Sequence, residues 1–340
     1  MPAADLIALD IGGANLKAAD GQGWTHAEPF ALWREWRRLP DALATILDRS
    51  AARRVVATMT GEIADCYPSR AAGVAHLVES LVVAADRRGA DVAVYLVDGR
   101  LVGPLEAVRA PLLAAASNWH ALARLAAAHA PAARSLLIDV GSTTTDVVAI
   151  VDGVPAPLAR DDAGRMLAGE LVYTGVERTP LATIVRVLPH GDARRPVAAE
   201  RFADSRDAWL LLGGLPEGAD DRDTADGGPA TREAARVRIA RSLLVEPDDF
   251  PAAAAVMAAE RCAAVQARRV AAAVRRVAAR HGWIPDGVVL SGHGEPLARR
   301  AIALACPRAE TASLGDLLGP TVSRAAPAHA LALVARGALP

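Results

Sequence analysis

Residues 6–20 read LIALDIGGANLKAAD, and residues 136–153 read LLIDVGSTTTDVVAIVDG. In both stretches an apolar run ends in Asp, a Gly follows two residues later, and small, hydroxyl or amide residues lead into a second apolar run. The two carboxylates, Asp10 and Asp139, are 129 positions apart. A pattern that recurs in this way predicts a duplicated fold with one such loop in each half.

The composition of both loops suits a bound phosphate. A buried strand would bring Asp10 or Asp139 to its end, where a carboxylate can hold Mg²⁺ directly or through water. Glycine lets the backbone turn sharply and present N–H groups to phosphate oxygens. We therefore expect a polyphosphate between the two halves. Its expected ligands are Gly12, Gly13, Asn15 and Lys17 in the first loop, and Gly141, Ser142, Thr143, Thr144 and Thr145 in the second.

Neither loop has a standard nucleotide motif. The chain contains no Gly-x-x-x-x-Gly-Lys-Ser/Thr string and no Gly-x-Gly-x-x-Gly string that opens a helix. Strand-like residues follow each turn, at 15–19 and 146–151. Each loop is therefore interpreted as the turn of a β-hairpin that would hold phosphate by its own amides. An ordinary glycine turn between two core strands is the alternative for either loop alone, and the presence of two favours the phosphate interpretation.

Composition excludes several classes of protein. The 340 residues carry a net charge of −1, so no basic surface for nucleic acid or an anionic membrane is expected. Three widely spaced cysteines fit neither a disulfide framework nor a zinc site. The first residues run directly into an apolar strand and offer no signal peptide. We expect a cytoplasmic α/β protein without nucleic-acid or membrane partners.

Strand and helix patterns alternate along the chain. Strands are predicted at 6–10, 54–59, 92–97 and 136–139, and helices at 39–50, 73–88, 115–128 and 252–281. Gly282 is placed to end the last of these helices. Two α/β domains with mixed sheets, 1–130 and 131–340, are expected to enclose a cleft. The second domain would contain an irregular substrate-binding insertion at about 155–250, and a helix after Val322 would pack back across both domains.

Two further motifs remain. A third glycine motif at 291–294 follows a short apolar strand, and Gly292 and Gly294 would let a ligand ring or phosphate tail lie against the backbone. His293 is either a metal ligand or base, or an ordinary loop residue. The acidic loop at 219–228 is either solvated surface or, through Asp226, a site for a cationic ammonium group.

The three glycine motifs, in this order, resemble those of the acetate and sugar kinase/Hsp70/actin superfamily. The string DVGSTTTD at 139–146 resembles the hydantoinase A/oxoprolinase branch of that superfamily. The strings at 59–65, 169–180 and 226–228 are similar to the synthase family of methanofuran and methylofuran biosynthesis. The resemblance covers nearly the whole chain. Gly61 stands where that family is expected to have Ala, and 222–224 also departs from its pattern.

The resemblance implies a duplicated actin-like, ribonuclease H-like fold and a transferase rather than a kinase. The family reaction joins an (aminomethyl)furan-methyl diphosphate to the phenol oxygen of γ-glutamyltyramine and releases diphosphate, in tetrahydromethanopterin-linked one-carbon metabolism. Mg²⁺ at Asp10 and Asp139, together with Lys17, would neutralise the leaving group.

The phenol must also lose a proton as it attacks. Glu62 is the candidate base, with Asp65 or Asp146 as rivals. The alternative role for Glu62 is a carboxylate that stabilises the N-terminus of its own helix. The predicted contacts to the amine and glutamyl ends of the substrates are Glu170, Tyr173, Arg178 and Asp226.

Two other functions use the same loops. One is an ATP-dependent small-molecule kinase or a hydantoinase/oxoprolinase-type ATPase, with ATP as its cofactor and a purine against Gly292 and Gly294. The other is a non-catalytic nucleotide switch, which would need an exposed apolar surface for a partner. The sequence leaves the oligomeric state open, a homodimer included.

Overall fold

The computed structural model describes residues 5–339. Fourteen strands are assigned in these residues. They are β1 Leu6–Ile11, β2 Asn15–Ala19, β3 Thr25–Pro29, β4 Arg54–Met59, β5 Asp91–Tyr95, β6 Leu101–Val102, β7 Arg134–Val140, β8 Thr145–Val151, β9 Val154–Pro155, β10 Leu171–Val172, β11 Val187–His190, β12 Ala193–Pro196, β13 Gly287–Ser291 and β14 Glu310–Ser313.

The strands form two large mixed sheets with the same topology. The first has the order β3-β2-β1-β4-β5-β6, and the second has the order β10-β8-β7-β13-β14, with β9 beside β8. In each sheet an antiparallel hairpin, β1–β2 or β7–β8, is followed by a parallel neighbour, β4 or β13. This repeat is the predicted duplicated actin-like, ribonuclease H-like α/β fold. β11 and β12 form a separate two-stranded hairpin.

In the described residues, fourteen α-helices surround the sheets, and two short 3₁₀ turns lie at Trp36–Arg38 and Pro247–Asp249. They are α1 Leu32–Glu35, α2 Leu39–Leu47, α3 Arg70–Asp86, α4 Pro104–Arg109, α5 Pro111–Ala114, α6 Asn118–Ala128, α7 Asp162–Ala168, α8 Leu181–Ile184, α9 Ser205–Leu211, α10 Arg232–Ser242, α11 Ala252–His281, α12 Glu295–Ala305, α13 Leu314–Arg324 and α14 Ala326–Ala335. Within residues 5–339, no helix has the length and apolar character needed to cross a membrane.

Local capping explains where the helices begin and end. Helix α11 has the predicted bounds, and Gly282 ends it in the left-handed region at φ 74°. Helix α3 begins before the predicted residue 73, because the Ser69 hydroxyl accepts a hydrogen bond from the Ala72 N–H and caps it earlier. Helix α6 begins after the predicted residue 115, because Ala115 is extended and Ala116 has φ 47°.

The region 155–250 is more regular than predicted. It holds α7 to α10 and the β11–β12 hairpin, and its apolar side chains form a core with the N-terminal half of α11. In that core Arg238 Nη2 lies 2.7 Å from Asp207 Oδ1, and both side chains are fully buried. The helices are short, and α10 is rich in arginine, so their apolar periodicity is too weak to identify them in the sequence.

Helices α6 and α14 connect the two halves of the molecule. One buried cluster combines Leu6 and Ala8 of the first sheet and Leu137 and Val289 of the second with side chains of both helices. Helix α14 contacts β1, β2 and β4 as well as α6. The predicted C-terminal helix that packs back across both halves is therefore confirmed, while the domain boundary near residue 130 stays a prediction.

Replacement of Leu331 in α14 tests this shared core. Leu331 is completely buried, so Leu331→Ala should lower the free energy of unfolding by about 3 kcal/mol through lost burial and a residual cavity. Leu317→Ala in α13 is the matched control, because Leu317 is 54% exposed and its replacement should cost less than about 0.5 kcal/mol. Equal effects in guanidinium denaturation would contradict the shared core.

Candidate active site at the paired glycine turns

The two glycine turns have the same backbone geometry. In the first, the Gly12 N–H donates to the Asn15 carbonyl at 3.0 Å, and in the second the Gly141 N–H donates to the Thr144 carbonyl at 2.9 Å. A Cβ at Gly12 would lie 2.8 Å from the Asn15 carbonyl oxygen, so this turn requires glycine. The predicted hairpins are therefore confirmed.

In each half, a neighbouring segment donates backbone hydrogen bonds to the carbonyl groups of the turn. The N–H groups of Phe30 and Leu32 donate to Ala14 and Gly13 at 2.9 and 3.1 Å. In the second half the Ser142 carbonyl accepts from the N–H groups of Glu177 and Arg178, at 3.0 and 2.9 Å. The carbonyl groups of Gly13, Ala14 and Ser142 are thereby occupied by protein donors.

The turn amides are left available for a ligand. No acceptor within residues 5–339 is found for the backbone N–H of Gly13, Ala14, Ser142, Thr143 or Thr144. A run of free backbone N–H groups in a tight turn binds anions. The predicted phosphate contacts at these turns are thus consistent with the backbone, although binding itself stays a prediction.

The strands that lead into the turns deliver a buried carboxylate, Asp10, and a partly buried one, Asp139. Asp10 is 3% exposed, its Oδ2 lies 3.7 Å from Lys17 Nζ, and its Oδ1 is buried without a hydrogen-bond partner within the described chain. Burial raises the pKa of Asp10, and the Lys17 ammonium opposes the rise. Burial and the neighbouring Asp146 raise the pKa of Asp139 to about 6, and Lys17 opposes this rise too. Lys17 therefore acts on both carboxylates.

The carboxylates fit a weakly held divalent cation. Asp10 has an unpartnered oxygen, and Asp139 is ionised at neutral pH, since its pKa is about 6. Among residues 5–339, no group of three or more His, Cys, Asp or Glu side chains is placed to hold a metal ion. Magnesium commonly binds through one or two carboxylates and keeps several waters, so two acids suffice for it.

Glu62 is a buried carboxylate without a partner. It is 1% exposed, and neither of its carboxylate oxygens has a hydrogen-bond partner within residues 5–339. Burial raises its pKa to about 7, and Asp162 adds to the rise. The nearby N–H groups of Glu62 and Ala116 and the Arg70 guanidinium oppose it. A pKa so strongly perturbed by burial is typical of an acid or base at a functional site.

The backbone just before Glu62 is hydrogen-bonded to the end of β1, where the first turn begins. The N–H groups of Thr60 and Gly61 both donate to the Ile11 carbonyl at 3.0 Å. A Cβ at Gly73 would lie 2.1 Å from the Glu62 carbonyl oxygen, so α3 packs directly on this residue. Glu62 does not lie at a helix N-terminus, because α3 begins only at Arg70, and the alternative role as a helix-stabilising carboxylate is wrong.

Asp146 occupies in the second hairpin the position that Lys17 has in the first, since strand register pairs Asp10 with Lys17 and Asp139 with Asp146. Its Oδ1 lies 2.8 Å from Arg165 Nη2, and Arg165 is 1% exposed. Burial raises the pKa of Asp146, and Arg165 opposes the rise. The Arg165 guanidinium also stacks at 3.9 Å on the ring of Trp119 from the first half.

An ion pair connects the halves beside Glu62. Arg70 Nη2, at the start of α3, lies 2.6 Å from Asp162 Oδ2, at the start of α7. Tyr173 is half exposed next to this pair. Burial raises the pKa of its phenol, and the charges of Asp162, Arg70, Asp146 and Glu62 all act on it. The charges of the predicted residues Glu62 and Asp146, one from each half, therefore both act on the Tyr173 phenol.

Other predicted site residues are engaged elsewhere. The Glu170 carboxylate accepts hydrogen bonds from the N–H groups of Leu158 and Ala159, and the Thr145 hydroxyl donates to the Thr174 carbonyl at 2.7 Å. Asp226 forms ion pairs with Arg238 and Arg241 at 3.1 and 3.2 Å, which lower its pKa against the opposing effect of burial. Asp65 is exposed. Ligand contacts by these four residues stay predictions.

The third glycine motif packs against β7. A Cβ at Gly292, where φ is 81°, would lie 2.3 Å from the Val140 carbonyl oxygen, and a Cβ at Gly294 would lie 2.3 Å from Val140 Cγ1. Close packing on the strand before the second turn therefore accounts for both glycines, and their contact with a ligand stays a prediction. His293 Nε2 lies 3.6 Å from Glu177 Oε2.

Sequence reasoning missed the arginines and tryptophans that line the site. Arg165, Arg70, Trp119 and Trp33 come from four separate segments and carry no local motif. The one sequence feature that could have identified Arg165 is its position a few residues before the string at 169–180. Nothing in the sequence indicated that it would pair with Asp146.

Comparison with known proteins identifies the family of this chain. The sequence profile described as hydantoinase/oxoprolinase matches residues 53–334, and the chain belongs to this family. A protein of Methanocaldococcus jannaschii is 28% identical over 330 residues, covering 96% of each chain. A protein of Methanococcus vannielii is 29% identical over 206 residues, covering 60% of this chain and 91% of its own. Both carry the name (4-{4-[2-(gamma-L-glutamylamino)ethyl]phenoxymethyl}furan-2-yl)methanamine synthase.

Solved structures with a similar arrangement include sugar kinases. A ROK family glucokinase from Streptomyces griseus, in complex with glucose and AMPPNP, aligns with a TM-score of 0.47 at 14% identity, covering 98% of this chain and 99% of its own. A nucleotide-free acetone carboxylase also aligns with a TM-score of 0.47, at 13% identity, covering 94% of this chain and 51% of its own.

Glu62→Gln should make the protein more stable at alkaline pH. Because burial raises the pKa of Glu62 from 4.5 to about 7, the unfolded state loses this proton first, and ionisation in the native state costs stability. This loss of wild-type stability is absent below pH 4.5 and grows as the pH rises from 4.5 towards 7. Above pH 7 it reaches its full value of up to about 3 kcal/mol. Urea denaturation at pH 4 and pH 8 measures it.

Glu310→Gln is the control for this experiment, because Glu310 is exposed on β14. Its stability difference from wild type should be the same at both pH values. If Glu62→Gln gave the same flat result, Glu62 would not be a buried carboxylate with a raised pKa.

Proposed function

We propose that this protein is an ether-forming transferase that joins a furan-methyl diphosphate to the phenol oxygen of γ-glutamyltyramine and releases diphosphate. The observation that carries the proposal is the position of Glu62, a buried carboxylate without a partner within residues 5–339, fixed to the end of β1 beside turns with free amides. The name of the two relatives describes a product with the same phenoxymethyl bridge.

The proposed reaction forms one C–O bond and breaks another. The phenol oxygen attacks the methylene carbon of the furan, and the C–O bond to the diphosphate breaks with its electron pair going to the diphosphate oxygen. The phenol proton passes to a carboxylate. The positive charge that develops on the methylene carbon is shared by the furan ring.

The paired turns would bind the leaving group. The free N–H groups of Gly13 and Ala14 in one half, and of Ser142, Thr143 and Thr144 in the other, would donate to diphosphate oxygens. Lys17, whose charge acts on both Asp10 and Asp139, would add a positive charge beside them. Mg²⁺ held by Asp10 and Asp139 would supply further positive charge to the departing diphosphate.

Glu62 would accept the phenol proton. A phenol has an ordinary pKa of about 10, and a carboxylate with a pKa of about 7 is a stronger base than an ordinary carboxylate while still being about half ionised at neutral pH. Its rivals are less suited to this role, because Asp146 is already paired with Arg165 and Asp65 is exposed. The half-exposed Tyr173 lies near Glu62, where it would contact the aromatic acceptor.

Direct assay separates this function from nucleotide chemistry. With Mg²⁺, the furan-methyl diphosphate and γ-glutamyltyramine, mass spectrometry should detect the coupled ether together with released diphosphate. Asp139→Asn should lower kcat by about a hundredfold or more, because an essential charge at the diphosphate site is lost. Asp48→Asn, at an exposed position on the first half, should leave kcat unchanged. ATP hydrolysis without coupling would instead establish the kinase or ATPase alternative.

The rate of coupling should depend on pH through Glu62. Since the base acts only when ionised, kcat/KM should rise about tenfold per pH unit below its pKa of about 7 and level off above it. Glu62→Gln should remove the ionisation near pH 7 along with most of the activity, and leave only a rise that levels off near pH 6 through Asp139. Glu310→Gln should retain the wild-type profile and activity. A Glu62→Gln profile that still levels off near pH 7 would assign the base to another residue.

A further inference from the structure

We propose that Trp33 and Arg178 form a clamp across the paired turns that binds the diphosphate donor. In this clamp the Arg178 guanidinium moves from the Trp33 ring onto the diphosphate, and the vacated ring face receives the furan-methyl group. The inference rests on the function proposed above and assigns specific recognition roles to these two side chains.

The backbones of the two residues are attached to corresponding points of the turns. Leu32, adjacent to Trp33, donates its N–H to the Gly13 carbonyl at 3.1 Å, and Arg178 donates its own N–H to the Ser142 carbonyl at 2.9 Å. Gly13 and Ser142 are equivalent positions, because each directly follows the glycine that closes its turn. The two side chains therefore start from either side of the same anion site.

The side chains meet between the halves. The Arg178 guanidinium carbon lies 5.1 Å from the centroid of the Trp33 ring, which is within the range of a cation–π contact. Both side chains are half-buried. A cation–π contact that keeps access to water is weak, so a stronger anionic partner can displace the guanidinium from the ring.

Arg178 differs from the other arginines around the site in having no acidic partner. Arg70, Arg165 and Arg206 are paired with Asp162, Asp146 and Glu177, respectively. Within residues 5–339, Arg178 forms no ion pair, and its side chain contacts only the Trp33 ring among the interactions described. Its positive charge is therefore available to an incoming anion without breaking a salt bridge.

The chemistry of the two groups matches the two parts of the donor. A guanidinium forms paired hydrogen bonds to phosphate oxygens, which the turn amides beside Ser142 would bind from another direction. The electron-rich face of Trp33 stabilises positive charge, first on the guanidinium and then on the furan-methyl carbon as its bond to the diphosphate breaks. Arg178 would thereby bind the leaving group, and Trp33 would stabilise the transition state.

The test separates binding from chemistry. Methylene diphosphonate, a diphosphate analogue that cannot be cleaved, is titrated with Mg²⁺ into the full chain by calorimetry. Arg178→Ala should weaken binding about tenfold or more, and Arg178→Lys should weaken it less. Arg194→Ala is the control, because Arg194 is exposed on the β11–β12 hairpin and should leave affinity unchanged.

Trp33 is tested by its effect on turnover. Trp33→Leu should retain affinity for methylene diphosphonate within about threefold but lower kcat of ether formation about tenfold or more, and Trp33→Phe should recover part of kcat. Release of Arg178 should also change tryptophan fluorescence when the diphosphonate binds to wild type, and this change should be absent in Trp33→Phe.

The outcomes distinguish the clamp from the proposed function. Wild-type affinity for the diphosphonate in Arg178→Ala would overturn the clamp alone. Lost affinity for γ-glutamyltyramine, with diphosphonate binding intact, would also overturn it and assign Arg178 to the acceptor. If wild type did not bind the diphosphonate, both the clamp and the diphosphate-releasing function would be contradicted.

Discussion

The rest of the site depends on the hydrogen bond that closes each glycine turn, from Gly12 to Asn15 and from Gly141 to Thr144. This bond reverses the chain within a few residues and leaves the intervening N–H groups unpaired. It also holds Asp10 and Asp139 at the ends of their strands, where burial raises the pKa of both carboxylates. The supporting segments before Trp33 and Arg178, and the packing of Gly292 against β7, hold this arrangement in place.

The two halves have the same turn, but the side chains opposite the two strand-end carboxylates differ in charge. Strand register places Lys17 opposite Asp10 and Asp146 opposite Asp139, so one hairpin supplies a cation where the other supplies an acid. The buried Arg165 compensates Asp146, and its stacking on Trp119 connects that compensation to the first half. The site is therefore electrostatically asymmetric although its backbone is duplicated. Such asymmetry suits a reaction in which an anion leaves on one side and a proton is removed on another.

Sequence patterns predicted the local structure, but they did not predict side-chain contacts between segments that are far apart in the chain. The hairpins, the strand at Arg54–Met59 and helix α11 follow from short-range patterns, namely apolar runs, glycine turns and the cap at Gly282. Glu62 was recognisable through family resemblance, but its isolation from hydrogen-bond partners depends on how Gly73 lets α3 approach it. The Arg70–Asp162 and Trp33–Arg178 contacts connect residues far apart in the chain, and no periodicity or spacing encodes such contacts.

Helix α14 has a consequence for how the protein is made. It covers β1, so Leu6 and Ala8 are buried by residues 326–335, which are synthesised only after the whole second half. The first sheet must remain without this helix throughout synthesis of the second half. Its apolar face is then open to chaperones or to the same face of another nascent chain, and the native core is completed only when α14 has been made.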